Sequence, residues 1–276
     1  MTPLGFTLIV LGISYAAGLL GSLVGVGGGI VVVPALTLLM GVSIEKAIAA
    51  SIVSVIATSS GAAASYVKER ISNMRLGMVL EVATVLGALT GAVLAESVSS
   101  KALYLIFALV LSFTAWSMYG PKGRPVEPAP DALADRLRLH GSYFDRSVGR
   151  VVSYRVSRTK LGLAVSYVAG VSSGLLGIGG GVLKVPVMNL AMGLPIKACT
   201  ATSNFMIGVT AATSAAVYFS RGEVLPFVAA PVAVGVLLGA RTGARIMGGM
   251  KNDLIRVIFV AVLVVSAAQM LMKGIR

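Results

Sequence analysis

The stretch Gly25-Val26-Gly27-Gly28-Gly29-Ile30-Val31-Val32-Val33-Pro34 returns later as Gly177-Ile178-Gly179-Gly180-Gly181-Val182-Leu183-Lys184-Val185-Pro186. The offset is 177 − 25 = 152. It also relates Tyr15 to Tyr167, Gly18 to Gly170, Ser51 to Ser203, Tyr66 to Tyr218, Gly87 to Gly239 and Phe107 to Phe259. One gapless offset across most of each half reads as a tandem duplication. Both copies lie in apolar sequence, and duplicated apolar modules are one way a membrane protein builds a site at a repeat interface.

Composition names the solvent. Of the 276 residues 57% are hydrophobic and 12% charged, and the mean hydropathy is +0.93. A water-soluble chain carries about 25% charged residues, so this one is expected to face lipid. Thirty-three glycines suit helices that approach closely without a hydrophobic drive. The net charge of +13 gathers in connecting segments. That pattern suggests a positive-inside topology rather than nucleic-acid binding. One cysteine, Cys199, excludes an intrachain disulfide, and one histidine, His140, argues against a His-ligated metal site. No cofactor is expected. The opening Met1-Thr2-Pro3-Leu4 lacks a basic leader and reads as the start of a membrane helix.

The expected fold is an all-α integral membrane protein of two homologous repeats, each with about five hydrophobic segments. The first repeat occupies 1–119, with segments at 4–24, 30–40, 47–67, 76–97 and 102–119. The second occupies 161–276, with segments at 161–176, 182–192, 198–219, 224–247 and 254–272. Between them, 120–160 carries nine Lys/Arg against four acids and several prolines. It reads as a basic cytoplasmic linker, a solvated tether in the main reading or a surface-lying amphipathic segment. Segment 30–40 would be about 16 Å long as a helix, roughly half the hydrocarbon thickness. If the short segments cross, the repeats are inverted; if they re-enter, the repeats are parallel. Arg241, Arg245 and Lys251 favour the inverted scheme, whereas Arg221, Lys273 and Arg276 favour the parallel one. An uncharged N-terminus on the outside tips the reading towards inversion.

Successive glycines hold a helix poorly, at about 1 kcal/mol each relative to alanine. The expectation is therefore a broken helix at each motif. The freed backbone groups must then be buried in protein or line a wet cavity. Gly27, Gly28, Gly29 and Gly179, Gly180, Gly181 would open short helices whose N-termini suit an anion. Lys184, with Val32 as its repeat partner, would supply one fixed positive charge, since an ammonium at membrane depth is a functional candidate. Snorkelling is its bland alternative. The following segments are rich in hydroxyls. Ser51, Ser203 and Asn204 are candidate donors to substrate oxygens, with interhelical bonding as their alternative role. Arg241 could complement the anion or pair with an acid, and Glu81 could couple a proton or serve as a paired residue.

The two glycine sentences, each closing on Val-Pro, resemble those of the sulfite exporter TauE/SafE family of membrane permeases. Gly41 with Gly193, and Leu86-Gly87-Ala88 with Leu238-Gly239-Ala240, continue the resemblance over all but 120–160. It implies a multi-pass permease of the cytoplasmic (inner) membrane for sulfite, sulfonates, related sulfur oxyanions or small organic acids. The leading reading is a secondary transporter working outward by alternating access, since export of an anion is favoured by an inside-negative potential. Its partners would be the anion and the bilayer, with a coupling ion and self-association left open. The alternatives are an anion channel, or an uptake permease for small organic acids coupled to H+ or Na+. Paired carboxylates, a Cys/His pair or a Ser/His/Asp set suited to catalysis are not found, so an enzyme is not expected.

Overall fold

The computed structural model describes residues 2–119 and 130–275. The first half comprises α1 (Pro3–Val24), α2 (Gly29–Leu39), α3 (Ile44–Lys68), α4 (Met74–Leu94) and α5 (Ser100–Tyr119). A connecting unit follows, with α6 (Ala132–Arg136), β1 (Gly141–Asp145) and β2 (Arg150–Tyr154). The second half comprises α7 (Thr159–Leu176), α8 (Gly181–Pro186) continued by a π-helical turn (Val187–Ala191), α9 (Ile196–Ser220), α10 (Pro226–Met247) and α11 (Asn252–Ile275). The bounds of α3 and α9 differ by 152 at both ends, and α2 begins 152 residues before α8. Among the described residues seven helices are long and apolar enough to cross a membrane: α1, α3, α4, α5, α7, α10 and α11. The equally central α9 carries more hydroxyls and an asparagine, and it is buried along much of its length.

Helix directions follow from close contacts. A methyl on Gly235 would meet Leu11 O, one on Gly239 would meet Tyr15 O, and one on Gly243 would meet Leu19 O, so α1 and α10 run parallel. Gly170 meets Thr84, Gly87 meets Tyr167 and Gly174 meets Ala88, so α4 and α7 also run parallel. Asn73 N–H donates to Thr202 Oγ1 at 2.9 Å, Gly77 packs on Met206, and Thr210 Oγ1 bonds Glu81. This aligns α9 with α4. By contrast α1 meets α9 head-on, with Ser22 at Asn204 and Gly25 at Thr200. A short turn reverses α3 relative to α4. Thus α1, α3 and α10 run one way and their counterparts α7, α9 and α4 run the other. The pair α5 and α11 is antiparallel, with Arg256 Nε donating to Met118 O at 2.7 Å near one end and Gly274 packing on Leu105 at the other.

The connecting unit is folded, where the sequence reading expected a tether; residues 120–129 lie outside the described ones. Asp131 accepts the N–H groups of Leu133 and Ala134, capping α6. Its second oxygen accepts Thr159 N–H at 2.6 Å at the start of α7. The hairpin pairs Gly141 with Tyr154 through to Asp145 with Arg150. It is pinned to the helix ends by Lys197, whose buried Nζ lies 2.6 Å from Asp145 Oδ1, 3.0 Å from Ser147 Oγ and 3.3 Å from Gly248 O. Asn73 Nδ2 donates to Leu139 O at 2.7 Å, and Arg146 pairs with Glu69 at 3.4 Å. The unit is therefore a cap docked on one face of the helix bundle. It adds a two-stranded element to an otherwise helical fold.

Two predictions follow from this packing. Gly239→Ala drives a methyl into the Tyr15 carbonyl and should lower stability by about 1–3 kcal/mol. Gly12→Ala, which meets nothing within 4 Å, should leave the thermal midpoint in detergent unchanged. The second concerns the cap. Burial pushes the Asp145 carboxyl up, but hydrogen bonds from Lys197 and Ser147 outweigh it and hold the group below its ordinary value. A depressed carboxyl stabilises the fold above the unfolded value of about 3.9 and loses that contribution as pH falls through the folded value. Amide protection in 141–154, corrected for intrinsic exchange, should therefore hold from neutral pH to about 5 and fall only in stronger acid.

Candidate functional site at two crossed helix breaks

α1 stops at Gly25, whose φ is +76°, and α7 stops at Gly177, at +68°. Gly25 N–H closes on Gly21 O at 3.0 Å and Gly177 N–H on Ser173 O at 2.8 Å. Gly27 (+83°), Gly179 (+74°) and Gly180 (+72°) keep the chain in left-handed conformations that side chains rarely adopt. The two breaks cross. A methyl on Gly29 would collide with Ser51 Oγ and Gly177 O, and one on Gly181 with Gly25 O. Val55 and Ile207 pack on both Gly27 and Gly179. From this crossing α2 leads back to the face where α1 began, and α8 leads to the opposite face, where α7 began. The short segments thus re-enter while the halves run inverted, contrary to the expected link between re-entry and parallel repeats, because α3, α4 and α5 leave an odd number of crossings.

Side chains satisfy the exposed backbone. Ser51 Oγ donates to Gly177 O at 2.7 Å, and Ser203 Oγ donates to Gly25 O at 2.5 Å. Gly28 N–H donates to Thr58 Oγ1 at 3.1 Å. Tyr66 OH donates to Ser22 O at 3.0 Å and Tyr218 OH to Gly174 O at 2.9 Å. Asn204 Nδ2 donates to Ser22 O and Thr200 O. Asn204 Oδ1 and Thr200 Oγ1 are buried without a hydrogen-bond partner among the described residues. Ser51, Ser203 and Asn204 thus lie at the crossing, with their donors on main-chain carbonyls.

The charge sits at the second break. Lys184 is fully buried, and its Cε would lie 3.4 Å from a methyl at Gly180. The chain folds back towards the N-terminus of its own helix, the direction a helical Cβ dictates. Nζ lies 3.4 Å from Glu81 Oε2 and 3.3 Å from Thr210 Oγ1. Thr210 Oγ1 donates to Glu81 Oε1 at 2.5 Å. Burial in this pair replaces the snorkelling alternative. Arg241 is exposed on α10 and stands apart from this group.

Sequence reasoning left Thr58 and Thr210 without individual roles. They are 152 residues apart, the first capping Gly28 and the second holding Glu81, so the repeat offset could have singled them out. The Glu81–Lys184 partnership spans 103 positions and had no local signal. Ser51→Ala and Ser203→Ala each strip a buried carbonyl of its donor and should each cost about 1–3 kcal/mol in denaturant unfolding. Ser60→Ala, whose exposed hydroxyl donates to Ile56 O of its own helix, should be neutral.

The family model described as sulfite exporter TauE/SafE matches residues 10–270. The chain is also 30% identical over 276 residues to the probable membrane transporter protein YunE of Bacillus subtilis (strain 168), covering 97% of each. No solved structure gives a significant match. Crossed glycine breaks between apolar helices are thus the frame of a membrane transporter and not an enzyme, and the chain belongs to the sulfite exporter TauE/SafE family.

Proposed function

We propose that this transporter is a secondary carrier for a small anion, a sulfite, a sulfonate or a related sulfur oxyanion, moved outward by alternating access. The observation that carries this reading is Lys184, a fully buried ammonium held against Gly180 at the start of a short helix. A helix N-terminus and an ammonium there both favour negative charge. Packing favours a carrier over a channel, because Val55 and Ile207 fill the crossing. The family's name supports sulfur oxyanions as the first solutes to test.

Charge distribution supports a sidedness. Lys68, Arg70, Arg75, Arg146, Arg150, Arg245 and Lys251 lie at the capped face, whereas Lys46, Lys101, Arg221 and Lys273 lie at the other. By the positive-inside rule the cap faces the cytoplasm, and the protein resides in the cytoplasmic membrane.

Purified protein in liposomes should carry sulfite or a small sulfonate with saturable, exchangeable flux, and small carboxylates more slowly. Lys184→Met and Gly180→Leu should each cut that flux at least tenfold, equivalent to about 1.4 kcal/mol or more of lost binding. Undiminished flux in both variants would overturn the site, and non-saturable conductance in planar bilayers would make the protein a channel.

A further inference from the structure

We propose that Glu81 takes up one proton for each monovalent anion that Lys184 binds, so that the carrier moves anion and proton together as a neutral load. This rests on Lys184 as the anion site and adds the coupling ion and its residue.

Charge must balance at membrane depth. Lys184 Nζ is held by Glu81 Oε2 and Thr210 Oγ1. From α8, Lys184 is the charged group facing Glu81; from α9 comes the neutral Thr210. Past Gly162, α7 has Tyr167 as its one titratable side chain, and that hydroxyl lies beside Thr90 Oγ1. The other side of Glu81 borders an apolar groove of about 470 Å³ between α4 and α9, lined by Met78, Val82, Phe205 and Val209 among others. A carboxylate can stay charged here only while the ammonium faces it, since an unpaired buried charge costs several kcal/mol. An anion that takes the ammonium leaves Glu81 facing apolar side chains, where the neutral acid is the form that survives.

The bookkeeping closes. Before loading the site holds one ammonium and one carboxylate. After loading it holds one ammonium, one carboxylic acid and one bound anion, with the proton drawn from the side that delivered the anion. The net charge of the site does not change. Movement then draws on the gradients of anion and proton while membrane voltage contributes nothing, so direction follows those two gradients and not the inside-negative potential expected to favour export. The first break could not do this. Its equivalents of Lys184, Glu81 and Thr210 are Val32, Ala233 and Thr58, and Thr58 is engaged by Gly28 N–H.

Methanesulfonate is the probe, because a strong acid brings no proton of its own. Proteoliposomes loaded with it and containing an internal pH dye should turn alkaline inside as it leaves, with one proton per anion. That flux should ignore a potential imposed with potassium and valinomycin. Glu81→Gln should move no proton with the anion, and Glu81→Asp should keep the proton movement. Infrared difference spectra on adding methanesulfonate should gain a carboxylic-acid C=O band in the wild type that Glu81→Gln lacks. Wild-type flux that follows voltage without acidity change, or proton movement and the infrared band persisting in Glu81→Gln, would overturn the coupling and leave the carrier standing. Wild-type vesicles that carry neither methanesulfonate nor sulfite would overturn the carrier reading itself.

Discussion

The fold turns on the mutual repair of two unwound segments in a low-dielectric interior. Lipid cannot hydrogen-bond the carbonyls freed at Gly25 and Gly177. Each is instead met by a serine from the other half, Ser203 and Ser51. Neither break is satisfied without the other's half, so the halves must cross where they do. The crossing also sets the glycine requirement. Gly29 and Gly181 leave no room for a methyl against the opposing strand of backbone. Tyr66 and Tyr218 brace the last turns before each break from the far ends of α3 and α9.

Against this matched frame, the mismatches stand out. Val32 faces Lys184 across the offset, Ala233 faces Glu81, and the two threonines keep their type but change their partner. The first break is neutral. The second holds an ammonium, a carboxylate and a hydroxyl in one buried group. A buried ion pair seldom improves stability over apolar packing of the same volume. In the proposed carrier this group is the one assigned to work on a charged solute.

The breaks were legible because glycine runs and proline are local signals. The segments 30–40 and 198–219 fall within a few residues of α2 and α9. The cap was not legible, for a physical reason. Its anchors are long-range contacts, Lys197 with Asp145 and Asn73 with Leu139, and arginine-rich loop composition looks the same whether a loop is docked or free. The hydroxyls were half legible. Sequence places Ser51 and Ser203 on equivalent helix faces, but a hydroxyl does not declare its acceptor. Both turned out to serve carbonyls of the opposite break. Lys184 was visible as an expensive charge, while the acid that makes it affordable lay 103 positions away.

The same contacts constrain how such a molecule could rearrange. Along α1 and α10, and along α4 and α7, glycines meet backbone atoms of the partner helix. Surfaces matched that closely have discrete seatings and resist gradual sliding. Each pair is therefore expected to move as a unit. The seams that can yield are those held by side chains, above all where α3 and α9 grip the breaks through Ser51, Thr58 and Ser203. Releasing one hydroxyl there frees a main-chain carbonyl or N–H that must find another partner at once. A solute oxygen, a water or the opposite serine can take that role. In the proposed carrier, solute binding and movement of the breaks would draw on the same few hydrogen bonds, which is the coupling that alternating access requires.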